Sequence, residues 1–172
     1  MPLPIAHGLL GASIVALLHP LFKKNYAFPL IGGLVLANAA DFDFALVFLL
    51  GSKEWHRGFS HSILFAVIVL LVILMANRFR QIKVSAAYGL AFASHFILDF
   101  ITTKVGSGVE LFWFFNKERF GLRWFGLSEM PSKLPFPEVL GAILLELIIF
   151  GPLFGLALYF RKNRTNQIAN NQ

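Results

Sequence analysis

Histidine and aspartate residues at helical spacing suggest a metal site within an apolar part of this chain. His95 and Asp99 are four residues apart inside the apolar run 84–102, so both side chains project from one helix face. Burying an imidazole and a carboxylate there is costly unless each has a partner. The partners that we expect are His7, Asp41, Asp43, His56 and His61. We predict that these residues converge on a metal; the alternative for His95 and Asp99 is a hydrogen-bonded pair between two helices.

Asp41 and Asp43 place two carboxylates in one short turn. Carboxylates suit hard or borderline cations, and two of them close together can bridge a pair of metal ions. Ionised neighbours at this depth would repel each other unless a cation lies between them. The alternative is a helix terminus that Asp caps.

The segment from His56 to Ser62 is the most specific motif, because two histidines bracket a turn that contains Gly58. Their rings can converge from the loop and from the start of the next helix. Arg57, between them, is a candidate clamp for a phosphate or carboxylate of the substrate. The alternative is a loop with interfacial histidine and arginine anchors.

His7 and three further polar residues stand in or beside apolar segments. His7, near the start of the first run, is a candidate ligand or an interfacial histidine, and His19, at the far end of that run, is expected to be structural. Glu110 follows a Gly-Ser-Gly sequence and is a candidate ligand or base. Glu146 is alone in the last run, and we expect it at a different depth from the cluster.

Histidine and carboxylate ligands without cysteine indicate a divalent ion such as Zn²⁺ or Mn²⁺. The candidate ligands outnumber those that one tetrahedral ion uses, so we expect one or two ions. Such an ion acidifies bound water, which favours hydrolysis with Asp43 or Glu110 as base. No G-x-S-x-G sequence is present, which argues against a serine hydrolase.

Composition indicates an integral membrane protein. Of 172 residues, 57% are hydrophobic and 14% charged, against roughly 25% charged in soluble domains. The mean hydropathy is +0.70. The net charge of +6 comes from short basic clusters between apolar runs. These clusters are typical of topology determinants beside anionic lipid, so we expect membrane lipid and no nucleic acid as a partner.

The apolar runs predict an all-α bundle of about five spanning helices, near 3–22, 27–50, 61–77, 84–103 and 138–160. The second run should end or unwind near 38–43, and Ser60 should cap the third helix. Aromatic and cationic residues alternate over 104–137, which predicts an interfacial segment. We expect one domain over 1–162 and a polar, disordered cytoplasmic tail over 163–172.

Alternating spans place the N-terminus outside and the C-terminus in the cytoplasm, because three basic clusters then fall on one side. With this orientation the candidate ligands of all the segments lie in one layer near the outer surface. This agreement between separate segments is the main argument for a single site in a multi-pass membrane protein.

These motifs resemble the YdjM-like family of LexA-regulated inner-membrane proteins, which are regarded as metal-dependent hydrolases. The resemblance covers residues 1 to about 125 and rests on four features: His7-Gly, Ala-Asp41-Phe-Asp43, His56-Arg-Gly-Phe-Ser-His61-Ser, and His95-x-x-x-Asp99 followed by Leu111-Phe-Trp. The ligand order is also similar to that of the zinc cluster of phospholipase C and the single-strand nucleases. This second resemblance implies five ligands, namely His7, Asp41, His61, His95 and Asp99. The chain differs from it in lacking an N-terminal Trp ligand and a later H-x-x-x-E.

The sequence therefore predicts a membrane-bound, metal-dependent hydrolase of a lipid or other phosphoester at the level of the outer leaflet. Arg57, Arg119 and Arg123 could hold the phosphate. One alternative is a transporter, or a proton or metal conduit, that uses the same polar residues. Against it, no internal repeat is evident. The other alternative is a membrane protein in which the metal only joins the helices.

Overall fold

The computed structural model describes residues 2–20, 26–103, 108–122 and 136–170. These residues form six α-helices: α1 (Pro4–Leu18), α2 (Ala27–Asn38), α3 (Phe44–Leu50), α4 (Ile63–Ala76), α5 (Ile82–Thr102) and α6 (Phe136–Asn170). The extended pairing in this part of the chain is one isolated antiparallel bridge, between Val109 and Phe120. Helix α1 packs against α2, α5 and α6, and α5 also packs against α2 and α4. The predicted all-α bundle is confirmed.

Three helical stretches are long and apolar enough to cross a membrane: Ala27–Leu50, Ile82–Thr102 and Pro137–Ile168. Helices α1 and α4 are also apolar but have only 15 and 14 residues, whereas a span needs about 20. Large apolar side chains such as Phe48 and Ile148 are exposed on the outer surface, as contact with lipid requires. The bundle has the character of a membrane protein, and the number of five spans stays a prediction.

The second apolar run is interrupted where the sequence predicted. Helix α2 ends at Asn38, a 3₁₀ turn covers Ala39–Asp43, and α3 continues from Phe44. Ala40 and Asp43 in this turn are only 1% and 3% exposed. The irregular backbone is tolerated because it is buried against protein rather than lipid.

Two expectations about helix ends are wrong. Helix α4 begins at Ile63, and its N-cap is Ser62, whose hydroxyl accepts a hydrogen bond from the Phe65 N–H at 3.1 Å. Ser60 lies one turn earlier, in the 3₁₀ turn Phe59–His61. The tail is not disordered over 163–170, because α6 continues to Asn170. No Gly or Pro occurs over 161–170 to end the helix.

The predicted interfacial segment 104–137 is described mainly over 108–122. There, the Val109–Phe120 bridge closes a short loop, and the Ile63 N–H donates to the Leu111 carbonyl at 3.1 Å. These bonds dock the loop on the start of α4. Residues 104–107 and 123–135 of the predicted segment lie outside the described residues, and they include Lys104, Arg123 and Lys133.

Helices α1 and α2 approach closely through glycines. A Cβ atom on Gly11 would lie 2.5 Å from the Gly33 carbonyl oxygen and 2.4 Å from the Ala37 Cβ. We therefore expect Gly11→Ala to lower the free energy of unfolding by about 1–3 kcal/mol, the usual cost of overpacking. Thermal unfolding in detergent measures this. Gly155→Ala is the matched control, because nothing lies within 4 Å of a Cβ atom there, and equal stabilities of the two variants would contradict this packing.

Helix α6 supplies polar partners to both ends of α1. The buried Glu146 carboxylate accepts hydrogen bonds from the backbone N–H groups of Leu3 and Ala6. At the other end, Arg161 donates to the carbonyl of Ala16 at 2.7 Å. The two helices therefore run in the same direction, as the first and last of five alternating spans would. Glu146 lies beside the residue that precedes His7, so the expectation of a different depth is wrong.

We expect Glu146→Ala to destabilise the protein by about 1–3 kcal/mol, because it leaves the Leu3 N–H at the start of α1 without an acceptor. The Ala6 N–H keeps only its second acceptor, the Leu3 carbonyl. Thermal unfolding in detergent is again the measurement. Glu138→Ala is the control, since Glu138 lies in the exposed first turn of α6. A Glu146→Ala protein as stable as this control would show that the cap contributes nothing.

Candidate metal centre

Four segments of the fold bring five of the predicted ligands together: α1 supplies His7, the 3₁₀ turns Ala39–Asp43 and Phe59–His61 supply Asp41 and His61, and α5 supplies His95 and Asp99. All are fully buried except the Asp41 side chain, which is 16% exposed. The closest distances between their nitrogen and oxygen atoms are His7 Nε2–Asp99 Oδ1 3.5 Å, His61 Nε2–Asp99 Oδ2 3.4 Å, His61 Nε2–Asp41 Oδ1 3.7 Å, His95 Nε2–Asp41 Oδ1 3.3 Å and His95 Nε2–Asp99 Oδ2 3.8 Å. We call these five residues the His/Asp cluster.

Two sets of potential ligand atoms overlap within the cluster. His7, His95 and Asp99 form one set, and Asp41, His61 and His95 form the other; in each, the atoms lie within 4.8 Å of one another. The His7 and His95 rings stack at a centroid distance of 3.8 Å. Because His95 belongs to both sets, the cluster could hold either one ion or two neighbouring ions.

The atoms that face each other in this cluster are buried without hydrogen bonds. They are Asp41 Oδ1, the Nε2 atoms of His7, His61 and His95, and both carboxylate oxygens of Asp99. The other ring nitrogen of His7, Nδ1, is also buried without a hydrogen bond. A buried polar atom without a partner costs about 1–3 kcal/mol. A cation coordinated by these atoms would remove that cost, so the residues fit a metal.

The hydrogen bond of His95 determines which of its nitrogens can bind a metal. Its Nδ1 atom lies 2.6 Å from the Ala37 carbonyl oxygen, which can only accept, so Nδ1 carries the proton. In the neutral ring Nε2 then presents a lone pair towards the Asp41 carboxylate, 3.3 Å away. Two acceptors that face each other need a cation between them.

Ser60 orients His61 in a similar way. The Ser60 hydroxyl donates to Asp43 Oδ2 at 2.7 Å and accepts from His61 Nδ1 at 2.9 Å, which leaves Nε2 of His61 for the cluster. Two carboxylates flank this ring: Asp43 Oδ2 lies 3.4 Å from Nδ1, and Asp99 Oδ2 lies 3.4 Å from Nε2. The surroundings of this ring therefore attract positive charge.

Asp43 joins the His56–Ser62 motif to the 3₁₀ turn. In addition to Ser60, its carboxylate accepts hydrogen bonds from His56 Nδ1 and from the Arg57 backbone N–H, both at 2.9 Å. Both oxygens are thus engaged, although Asp41, Asp43 and His56 form a third set of potential ligand atoms within 4.8 Å. That Asp43 and His56 bind metal, or that Asp43 is a base, stays a prediction.

The other two predicted catalytic residues, Arg57 and Glu110, have different surroundings: Arg57 lies beside the His/Asp cluster, and Glu110 does not. Arg57 has a left-handed backbone, with φ 62°, and its buried guanidinium Nε lies 3.6 Å from Asp99 Oδ2, beside the cluster. Glu110 instead faces Arg119, with Oε1 3.4 Å from Nε, and it belongs to none of the three sets found among the described residues. Its catalytic role stays a prediction, and Arg123 lies outside the described residues.

Sequence reasoning missed two partners of the cluster. It assigned Ser60 to a helix cap, although a hydroxyl directly before a candidate ligand was a usable signal for its contact with His61. The Ala37 carbonyl that orients His95 carries no sequence signal, because every residue has a carbonyl group.

Comparison with known proteins places these residues in a family. A family model described as "YdjM inner membrane protein" matches residues 1–164, which include the whole His/Asp cluster. The chain belongs to the YdjM family. It is also 34% identical over 112 residues to "Inner membrane protein YbcI" of Escherichia coli (strain K12), a match that covers 61% of this chain and 64% of that protein. No solved structure matches it. YdjM membership confirms the predicted family and its inner-membrane character.

Proposed function

We propose that this protein is a membrane-bound, metal-dependent hydrolase of a lipid or other phosphoester. One observation carries the proposal: buried nitrogen and oxygen atoms of five residues face one another without hydrogen bonds. Two oriented histidines and a fully buried carboxylate are an arrangement typical of a divalent metal site. Zn²⁺ or Mn²⁺, as one or two ions, suits this set of donors.

In this proposal His7, Asp41, His61, His95 and Asp99 hold the metal. When bound, a divalent ion supplies Lewis acidity, which polarises a phosphoryl oxygen and acidifies water. Arg57 binds a phosphate oxygen, because its guanidinium is buried at the edge of the cluster. Asp43 holds the Arg57 backbone N–H and the Ser60 hydroxyl in place by accepting a hydrogen bond from each.

The proton carrier that we favour is His56. Its Nδ1 donates to Asp43, and its side chain is 17% exposed, so Nε2 can exchange a proton with solvent. The hydrogen bond to Asp43 fixes the ring, so that Nε2 is the nitrogen left to exchange protons.

Turnover tests the proposal directly. The detergent-purified protein is supplied with Zn²⁺ or Mn²⁺ and a short-chain phospholipid, and the released headgroup is measured with and without EDTA. We expect turnover that depends on the ion and disappears with EDTA. Metal-loaded protein that hydrolyses no phosphoester, but carries protons or metal ions across sealed vesicles, would overturn the hydrolase and favour a conduit.

A further inference from the structure

A polar cavity and an apolar groove lie on either side of one aromatic residue, Phe59. The polar cavity has a volume of about 520 Å³, and the groove has about 340 Å³. Phe59 lines both. Its neighbour Ser60 lines the groove and contacts His61 of the His/Asp cluster. The two spaces therefore share Phe59 as a lining residue, and the groove reaches Ser60, next to the candidate metal centre.

Charges of both signs line the polar cavity, together with tryptophan rings: Glu54, Glu110, Lys117, Arg119, Trp55 and Trp113. Arg119 pairs with Glu110 and donates to the backbone carbonyl of Glu54. The remaining charged groups are the Lys117 ammonium and the Glu54 carboxylate. The formal charges of the four side chains cancel, which suits a zwitterion better than a polyanion. The indole faces add favourable sites for an ammonium group.

The groove is lined almost wholly by apolar side chains, which come from α2, α3, α4 and α5 and from the 3₁₀ turns Ala39–Asp43 and Phe59–His61. These include Leu36, Leu46, Val69 and Phe92. Its polar lining residues are Asp43 and Ser60, which are hydrogen-bonded to each other at 2.7 Å. Because α2, α3 and α5 belong to stretches able to span a membrane, a hydrocarbon chain is the occupant that this environment supplies.

We propose that these two spaces form one binding site for a zwitterionic membrane phospholipid. The amine of the aminoalkyl phosphate headgroup occupies the polar cavity beside Glu54. The phosphate lies at the Phe59 side of that cavity, towards Arg57, where the proposed function needs it, and the Lys117 ammonium attracts it electrostatically. One acyl chain occupies the groove. That the bound lipid is the substrate rests on the proposed function. The lipid site adds the class of that substrate, a zwitterionic phospholipid.

Competitive lipid binding tests the site without requiring turnover. The purified protein in detergent is mixed with equal amounts of phosphatidylethanolamine and phosphatidylglycerol, and native mass spectrometry measures each bound lipid. We expect wild type to prefer phosphatidylethanolamine. Glu54→Gln should shift the ratio towards phosphatidylglycerol by about threefold. Lys117→Gln should lower the occupancy of both lipids by about threefold, the size of effect that exposed ion pairs have.

Three further binding measurements test the groove, the headgroup cavity and a control charge separately. Val69→Trp should fill the groove and reduce phosphatidylethanolamine binding, while soluble glycerophosphoethanolamine still binds. Lys162→Gln removes an equal charge on α6, away from the cavity, and should change nothing. Equal binding of the two lipids with no effect of Glu54→Gln, or competition by inorganic phosphate alone, would overturn the lipid site. Absence of turnover with an unchanged lipid preference would overturn only the hydrolase.

Discussion

Asp99→Asn is expected to abolish phosphoester turnover. Both oxygens of this buried carboxylate face the cluster, within 3.8 Å of His7, His61 and His95. Asparagine keeps the shape but removes the negative charge and one acceptor, so metal affinity should collapse. A loss of about 4 kcal/mol corresponds to roughly a thousandfold in rate. Initial rates with saturating Zn²⁺ or Mn²⁺, alongside the helical signal in circular dichroism, measure this.

Glu118→Gln is the control for this prediction. It also neutralises a carboxylate, but Glu118 is exposed and bonds only to Asn116 among the contacts found for it. Its turnover should equal that of wild type. If Asp99→Asn folds and keeps more than about a tenth of the wild-type rate, Asp99 is not a ligand of a catalytic metal.

Asp43→Ala is expected to destabilise the protein by about 3–5 kcal/mol, the range for removing one partner from a buried charged network. The substitution leaves three donors without their acceptor: His56 Nδ1, the Arg57 N–H and the Ser60 hydroxyl. The His56–Ser62 motif would then lose its attachment to the 3₁₀ turn, and His61 would lose the orientation that Ser60 gives it. Thermal unfolding in detergent measures the loss of stability.

Asp43→Asn provides a graded comparison, because the amide keeps one acceptor oxygen and introduces a donor that faces other donors. Its stability should lie between those of wild type and Asp43→Ala. A change below about 0.5 kcal/mol in Asp43→Ala, the range of ordinary surface substitutions, would show that the carboxylate does not hold this motif.

The helical bundle and the layer of candidate ligands were predictable because both depend on depth along apolar runs. Helical spacing placed His95 and Asp99 on one face of α5, and two aspartates in a hydrophobic run required the break after Asn38. Polar residues in a membrane bundle avoid lipid and so face one another. This constraint brings His7, 88 residues before His95, next to it.

Contacts that depend on lateral packing were not predictable. Glu146 reaches the start of α1 across 143 residues of sequence, and its partners are backbone N–H groups that no residue type marks. The choice of Ser62 rather than Ser60 as the helix cap depends on where Asp43 lies after folding. Glu110 turned towards Arg119 for the same kind of reason: the Val109–Phe120 bridge fixes its loop.

Metal content, determined by elemental mass spectrometry on the detergent-purified protein, tests the central claim most directly. Wild type is compared with Asp99→Asn and His61→Ala, which alter different parts of the His/Asp cluster. The account predicts one or two equivalents of Zn or Mn in wild type and loss of the metal in both variants. A wild-type protein that stays metal-free after incubation with Zn²⁺ or Mn²⁺ would contradict it, and the buried histidines and aspartates would then need a proton or solute path to explain them.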